Sequence, residues 1–233
     1  PVLASTVPSV RTYDPAFSWE LAILVRYGIQ RMFIEDHDEL FYLMMYNQAL
    51  PMPPRPAHTD LEEGVIRGGY LLEPASGKGR RVNLLGSGTI LFEVIEAASR
   101  LRADDYAVAV YSITSYVELA RDAERAEQST LSGCAETSWL NALFSEPGVP
   151  TVAATDYVRA LPRMLASWLP GARLAGGCQG PPSFEGSLSE RRRLLQKAAQ
   201  EVGTNRPPEP VAQWRSGVSR GFAGGARAIA EIQ

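Results

Sequence analysis

The chain has 233 residues, 45% of them apolar and 21% charged, which is enough to bury a sizeable core and rules out a disordered tail. A formal net charge of -3 gives no general electrostatic attraction to nucleic acid or to an anionic membrane, so neither is expected as a partner. Two cysteines, Cys134 and Cys178, read as free thiols rather than a disulfide framework, and His37 and His58 do not make an ordinary structural zinc site.

The opening PVLASTVPSV lacks the basic start and sustained apolar run of a secretory signal. The apolar stretch around Leu21–Val25 is interrupted by Glu20, Arg26 and Arg31, which argues against a transmembrane span. The cytoplasm is the default location. Proline stands first, which fits a removed initiator or a processed fragment.

Asp14-Pro15 predicts a helix start, with aspartate capping and proline at the first helical position. The following AFSWELAILVRYGIQRMF puts Phe17, Leu21, Leu24 and Ile29 on a broad apolar face, as in a helix covered by a partner or a sheet. The continuous apolar run LFYLMMY at 40–46 reads as a buried strand. Four prolines within PMPPRPAHTD then stiffen the chain as a connector. One helix and one strand are too little for an open sheet with its own core, so this first segment reads as the end of a domain.

After the connector the pattern becomes regular. VNLLGSGTILFEVIEAASRL predicts a strand at 82–85, a turn at Gly86-Ser87-Gly88, and a helix using Ile90, Leu91, Val94, Ile95, Ala98 and Leu101. YAVAVYSI is the next strand, SYVELARDAERA a helix, and TVAATD a further strand. YVRALPRMLASWL predicts a helix that Pro162 could kink. A short strand at 172–176, an amphipathic helix at 187–202 and a last helix in ARAIAEI complete the reading. Alternating strands and helices predict an α/β fold with a mostly parallel sheet covered on both faces.

The local chemistry is sparse. Gly86-Ser87-Gly88-Thr89 sits where a strand passes into a helix, as in an anion site, but lacks a complete phosphate-binding motif and reads first as a tight turn. Glu62-Glu63 reads as solvated charge, and Glu118, Arg121 and Asp122 as a surface ion-pair group at helical spacing. Asp156 or Thr155 is expected to cap the next helix, with display at the carboxyl edge of the sheet as the alternative. Ser112, Thr114 and Ser115 stand at a strand end with no histidine nearby in sequence to activate them. Arg191–Arg193 reads as a solvated face or a site for an acidic partner, and Trp139, Trp168 and Trp214 as core or interface anchors.

TVPSVRTYDPAFSWELAILVRYGIQRM, FYLMMYNQALPMP, EEGVIRGGYLLE, LLGSGTILFEVIEAA, YSITSYVELARDAER and VAATDY together resemble the C-terminal portion of the homodimeric type of pyruvate dehydrogenase E1 component, in the transketolase superfamily. The resemblance implies that residues 1–50 end a pyrimidine-binding domain, that 51–79 are a connector, and that 80–233 form a transketolase C-terminal-like domain. The tail is altered: Gly177, Gly180, Phe184 and Gly186 keep parts of the family's turn and loop, while Cys178 and Gln179 replace a threonine-aspartate pair. That departure bears on substrate specificity and on docking of a carrier protein.

By the same resemblance, the motifs that bind thiamine diphosphate and magnesium, and the glutamate that activates the aminopyrimidine, lie outside this sequence. No catalytic, cofactor-binding or metal-binding residue is expected here, and neither His37 nor His58 replaces them. The expectation is a subunit of a split enzyme acting on a 2-oxo acid, with cofactor and remaining domains on partner chains. A noncatalytic binding or regulatory protein of the same fold is the second reading. An independent small-molecule enzyme using the GSG turn and Asp156 is the third.

Overall fold

The computed structural model describes residues 1–47, 49–57 and 60–169, which build two sheets joined through a shared core. A single helical turn, α1 (Val2–Ser5), leads into β1 (Val10–Tyr13), α2 (Ser18–Ile29) and β2 (Leu40–Leu43). β1 and β2 pair in parallel with Val10 opposite Leu40 and Tyr13 opposite Leu43, so this segment is one β-α-β unit. The strand β1 was not anticipated from the sequence.

The helix α2 begins three residues later than expected, at Ser18 rather than Pro15. Asp14 does not cap it; Glu20 does, its carboxylate accepting the backbone N–H groups of Ala16 at 2.6 Å and Phe17 at 3.0 Å. At its far end α2 continues as a π-helical turn over Gln30–Ile34. The buried face is Ile23, Leu24 and Gly28, where a Cβ on Gly28 would stand 3.2 Å from the Phe41 ring. That leaves Leu21, Ala22, Val25 and Ile29 on a second apolar face lining an open groove of about 550 Å³. The run at 40–46 is likewise not a buried strand among the described residues, because Leu40 and Tyr42 are exposed while Phe41 and Leu43 face the core.

The stretch 51–79, read as a connector, holds two elements: α3 (Leu61–Arg67) and β3 (Tyr70–Ser76). Leu61, Val65 and Tyr70 bury against Tyr13, Ile23 and Leu24, so the end of this stretch belongs to the core that joins the two sheets. The sequence signal was short, and prolines just before it dominated the reading.

The second sheet has the order β3-β5-β4-β6, with β4 (Arg81–Gly86), β5 (Ala107–Ser112) and β6 (Thr151–Ala154) parallel and β3 antiparallel at the edge. The strands alternate between two layers, as pleating requires. Val82, Leu84, Val108, Val110 and Val152 meet α4 (Ile90–Ala103) on one face. Leu85, Ala109, Tyr111 and Ala153 meet α5 (Tyr116–Leu131), α6 (Trp139–Leu143) and α7 (Ala160–Arg163) on the other. Burial on both faces explains why these strands read as continuous apolar runs. The helix expected over 157–169 is assigned only at Ala160–Arg163. The strand at 172–176 and the helices at 187–202 and in ARAIAEI lie outside the described residues.

Candidate functional site: the carboxylate junction between the sheets

Three groups of polar side chains hold the β-α-β unit to the larger sheet. The first is Glu20, a carboxylate with no exposed surface. Besides its two backbone donors it accepts the hydroxyl of Tyr70 at 2.6 Å, from β3, and the hydroxyl of Ser112 at 2.7 Å, from the end of β5. Burial pushes this carboxyl upward in pKa, and the four hydrogen bonds act against that shift. One side chain of α2 thus satisfies its own helix start and two strands of the other sheet.

The second group surrounds Asp14, just past β1. Its backbone N–H donates to Thr114 O at 2.7 Å and its carbonyl accepts from the N–H of Gly88 at 3.1 Å. The side chain accepts the Tyr46 hydroxyl at 2.7 Å through Oδ1, while Oδ2 is buried without a hydrogen-bond partner. Ser87 lies close but its hydroxyl donates to Thr155 at 3.2 Å. Burial pushes Asp14 up to about 6; Tyr46 and Ser87 oppose this, and the charges of Asp156 and Glu20 add to it. Burial also pushes the neighbouring Tyr157 phenol up to about 12.

Gly86-Ser87-Gly88-Thr89 is the tight strand-to-helix turn it was first read as. Gly88 has φ +53° and a Cβ there would stand 2.5 Å from Asp14 Oδ1, so the glycine serves both the turn and the approach of Asp14. A carboxylate already occupies the space an incoming anion would need. Asp156 does not cap α7: its carboxylate accepts the Thr89 hydroxyl at 2.8 Å, and Thr155 Oγ1 accepts the N–H of Tyr157 at 3.3 Å. α7 starts only after Arg159.

The third group is an ion-pair chain. Arg11 on β1 reaches Glu39 through Nε at 2.9 Å and Nη2 at 2.7 Å, and Glu118 through Nη1 at 2.6 Å. Arg31 holds the same Glu39 at 3.1 and 2.8 Å, and Arg121 holds Glu118 at 2.9 Å. Arg121 also donates to the carbonyls of Val10, Ser5 and Val7. The Glu118–Arg121 pair expected at the surface is therefore part of a half-buried bridge between β1 and α5. Hydrogen bonds from Arg11 and then Arg31 hold Glu39 down at about 2. Arg11→Met is expected to cost about 2 kcal/mol, since it removes charged hydrogen bonds from two carboxylates. Urea denaturation checks the loss, and carboxyl NMR should show Glu39 titrating higher than in the parent.

The other candidates are structural. The Thr114 hydroxyl donates to Val65 O on α3 and the Ser115 hydroxyl to Thr12 O on β1, so with Ser112, which donates to Glu20, all three strand-end hydroxyls are engaged by packed neighbours. Asp122 accepts the N–H of Trp139 at 2.6 Å. Trp139 donates to Gly69 O at 2.8 Å with Arg67 over its ring, and Trp168 donates to Glu127 at 3.3 Å. Glu62 pairs with Arg26 and Arg55, and Glu63 with Arg67, in exposed positions. His37 lies beside Glu35, and Cys134 is exposed and free. His58, Cys178, Arg191–Arg193 and Trp214 lie outside the described residues.

Among the described residues no group of three or more histidine, cysteine or carboxylate side chains could hold a metal, and no helix is long and apolar enough to cross a membrane. The acidic pair Asp14 and Asp156 at the turn would repel a diphosphate, and Asp14 is buried with its Oδ1 taken by the Tyr46 hydroxyl. No catalytic step through such a group is assigned to these residues. What the arrangement does chemically is position: Glu20 and the Arg11 chain fix one sheet against the other. Sequence reasoning missed both, because a glutamate in an apolar helix and an arginine in a short strand carry no local signal of a distant partner.

The second sheet and its helices define a transketolase-type C-terminal fold. Transketolase from Leishmania mexicana superposes with a TM-score of 0.58 at 14% identity, covering 88% of this chain and 27% of that one. Transketolase from Campylobacter jejuni gives 0.56 at 16% identity, covering 88% and 27%. A structure described as a split gene transketolase, inactive beta4 tetramer, gives 0.55 at 17% identity, covering 88% of this chain and 60% of that one. These likenesses concern the fold.

Sequence comparison goes further. The pyruvate dehydrogenase E1 component middle domain matches residues 1–53, and the transketolase-like TK C-terminal domain matches residues 68–172. The chain is homologous to pyruvate dehydrogenase E1 components. It is 34% identical to that of Mycolicibacterium smegmatis over 207 residues, covering 86% of this chain and 22% of the relative. It is 37% identical to that of Corynebacterium glutamicum over 187 residues, covering 77% and 20%. The chain therefore spans about a fifth of the length of these curated relatives.

Proposed function

We propose that this chain is the C-terminal subunit of a split thiamine diphosphate-dependent enzyme, of the 2-oxo acid dehydrogenase E1 or transketolase kind. It supports decarboxylation and acyl or ketol transfer within a complex. The observation that carries this is the junction: a β-α-β unit matching the E1 middle domain is locked by Glu20 and Arg11 onto a transketolase-type sheet. A unit held so firmly at one side, and bare on the other, suits the role of orienting a larger domain.

Thiamine diphosphate and magnesium would be held mainly by chains carrying the diphosphate-binding and remaining pyrimidine-binding domains, and the bound cofactor would supply the electron sink for the reaction. This chain's residues contribute fixed geometry. Within such a complex a small error of placement costs rate as surely as loss of a reacting group.

The test is an assay of 2-oxo acid decarboxylation, coupled to reduction of an artificial electron acceptor, with thiamine diphosphate and magnesium present. The assembly containing this chain should turn over and lose activity when the chain is removed. A stable assembly with no cofactor-dependent turnover would instead indicate a binding or regulatory protein of the same fold.

A further inference from the structure

We propose that Asp14 is a proton-operated latch between the β-α-β unit and the larger sheet: the joint is closed while its carboxyl carries a proton and parts locally when the carboxyl ionises. The latch lies where two backbone hydrogen bonds cross the junction, from Asp14 N–H to Thr114 O and from Gly88 N–H to Asp14 O. It concerns this chain's own joint and does not depend on whether the chain serves a thiamine diphosphate enzyme.

The two buried carboxyls of the junction are supplied very differently. Glu20 receives two hydroxyl and two backbone donors. Asp14 receives the Tyr46 hydroxyl on Oδ1, and its Oδ2 is buried with no donor. Gly88 meets the carboxyl with carbon: a Cβ there would stand 2.5 Å from Oδ1 and 2.8 Å from Oδ2. The Ser87 hydroxyl beside it commits its hydrogen to Thr155 and so turns lone pairs to its other neighbours. A carboxylic acid O–H on Oδ2 has an acceptor in Ser87, whereas a carboxylate there lacks a donor.

The charged surroundings act in the same sense. Asp156, beyond β6, and Glu20, on α2, bring negative charge that favours the neutral acid, while the Tyr46 and Ser87 hydroxyls oppose it. Burial keeps the phenols of Tyr116, on α5, and Tyr157, beyond β6, neutral beside Asp14. A cavity of about 10 Å³ bordered by Pro1, Thr12, Asp14, Met44, Thr114 and Tyr116 is at the lower limit for one water. An ionised Oδ2 is therefore hydrated only when the joint parts, and the desolvation cost of the charge is the force that opens it. The opening stays local because Glu20 and the Arg11–Glu118 bridge remain fastened.

Amide hydrogen exchange of the full chain, followed by NMR and corrected at each residue for its chemical exchange rate, reads the latch directly. Between pH 5 and 7 the protection of the Asp14 and Gly88 amides should fall about tenfold, as expected for a carboxyl that binds its proton at about 6 when closed and at about 4 when hydrated. At pH 7 their exchange should be nearly indifferent to dilute urea, because a local opening exposes little surface. The amide of Ala107, which donates to Arg80 O at the far end of β5, should instead accelerate with urea. In Asp14→Asn the dependence on pH should vanish at Gly88. In Tyr46→Phe, which removes the donor to Oδ1, it should move to higher pH.

Protection at Asp14 and Gly88 that is flat across this range would overturn the latch. So would a fall that persists in Asp14→Asn, which would assign it to another group. Exchange at Asp14 and Gly88 that follows urea as steeply as Ala107 would overturn it too, because the chain would then be opening as a whole.

Discussion

Glu20→Ala is expected to destabilise the chain by about 3–5 kcal/mol, in the range for removing one partner from a buried charged network. The change leaves the hydroxyls of Tyr70 and Ser112 and two backbone N–H groups without their acceptor in a place water does not reach. It also opens a cavity between α2 and the larger sheet. Glu20→Gln should recover much of the loss. Its carbonyl oxygen can accept the Ala16 and Phe17 N–H groups, while the Tyr70 and Ser112 hydroxyls rotate to accept from the amide nitrogen. Urea unfolding of the three proteins decides this. An alanine variant as stable as the parent would mean that Glu20 does not fasten the two sheets.

Asp14→Asn should act in the opposite direction. The Asp14 carboxyl is raised from 3.8 to about 6 in the folded chain, so between those values the folded state binds more protons than the unfolded one. Its contribution to stability is full below pH 4 and declines as pH rises through about 6. The shift corresponds to about 3 kcal/mol at neutral pH. Asparagine cannot ionise and keeps an acceptor for the Tyr46 hydroxyl. The variant should therefore match the parent near pH 4 and exceed it by about 1–3 kcal/mol above pH 7. Glu39, held low by Arg11 and Arg31, has the reverse sign: its contribution is present above its ordinary value and lost as pH falls through about 2. The difference between Asp14→Asn and parent across pH separates Asp14, with the carboxylates it interacts with, from Glu39.

A buried acid that weakens the fold calls for a reason other than stability. Its position supplies one: Asp14 ties the end of β1 to the Gly88 turn and to Tyr46 beyond β2, so it sets where the small unit meets the larger sheet. Placement of that unit is what the proposed function requires.

The larger sheet was legible because its signals are local. VNLLG, a glycine turn and a helix with apolar residues every three or four positions can be read within twenty residues, and β4, α4, β5, α5 and β6 lie where they were expected. The junction was not legible, for a physical reason. Glu20 pairs with Ser112 and Arg11 with Glu118 across long stretches of chain, and nothing near Glu20 distinguishes a fully satisfied buried carboxylate from a solvent-facing one. Asp14-Pro15 carried a genuine capping pattern, yet tertiary contacts to Thr114, Gly88 and Tyr46 claimed the aspartate. Prolines at 51–56 hid α3 and β3, whose burial depends on α2 rather than on their own pattern. The resemblance to E1 components, by contrast, rested on an ordered series of segments and agrees with the comparisons.

We propose that this chain works inside an assembly with a thiamine diphosphate-binding polypeptide. Native mass spectrometry of the protein isolated gently from its source tests it most directly. The account predicts a complex in which this chain accompanies a polypeptide carrying the diphosphate-binding and remaining pyrimidine-binding domains; a stable monomer, or partners lacking those domains, would contradict it.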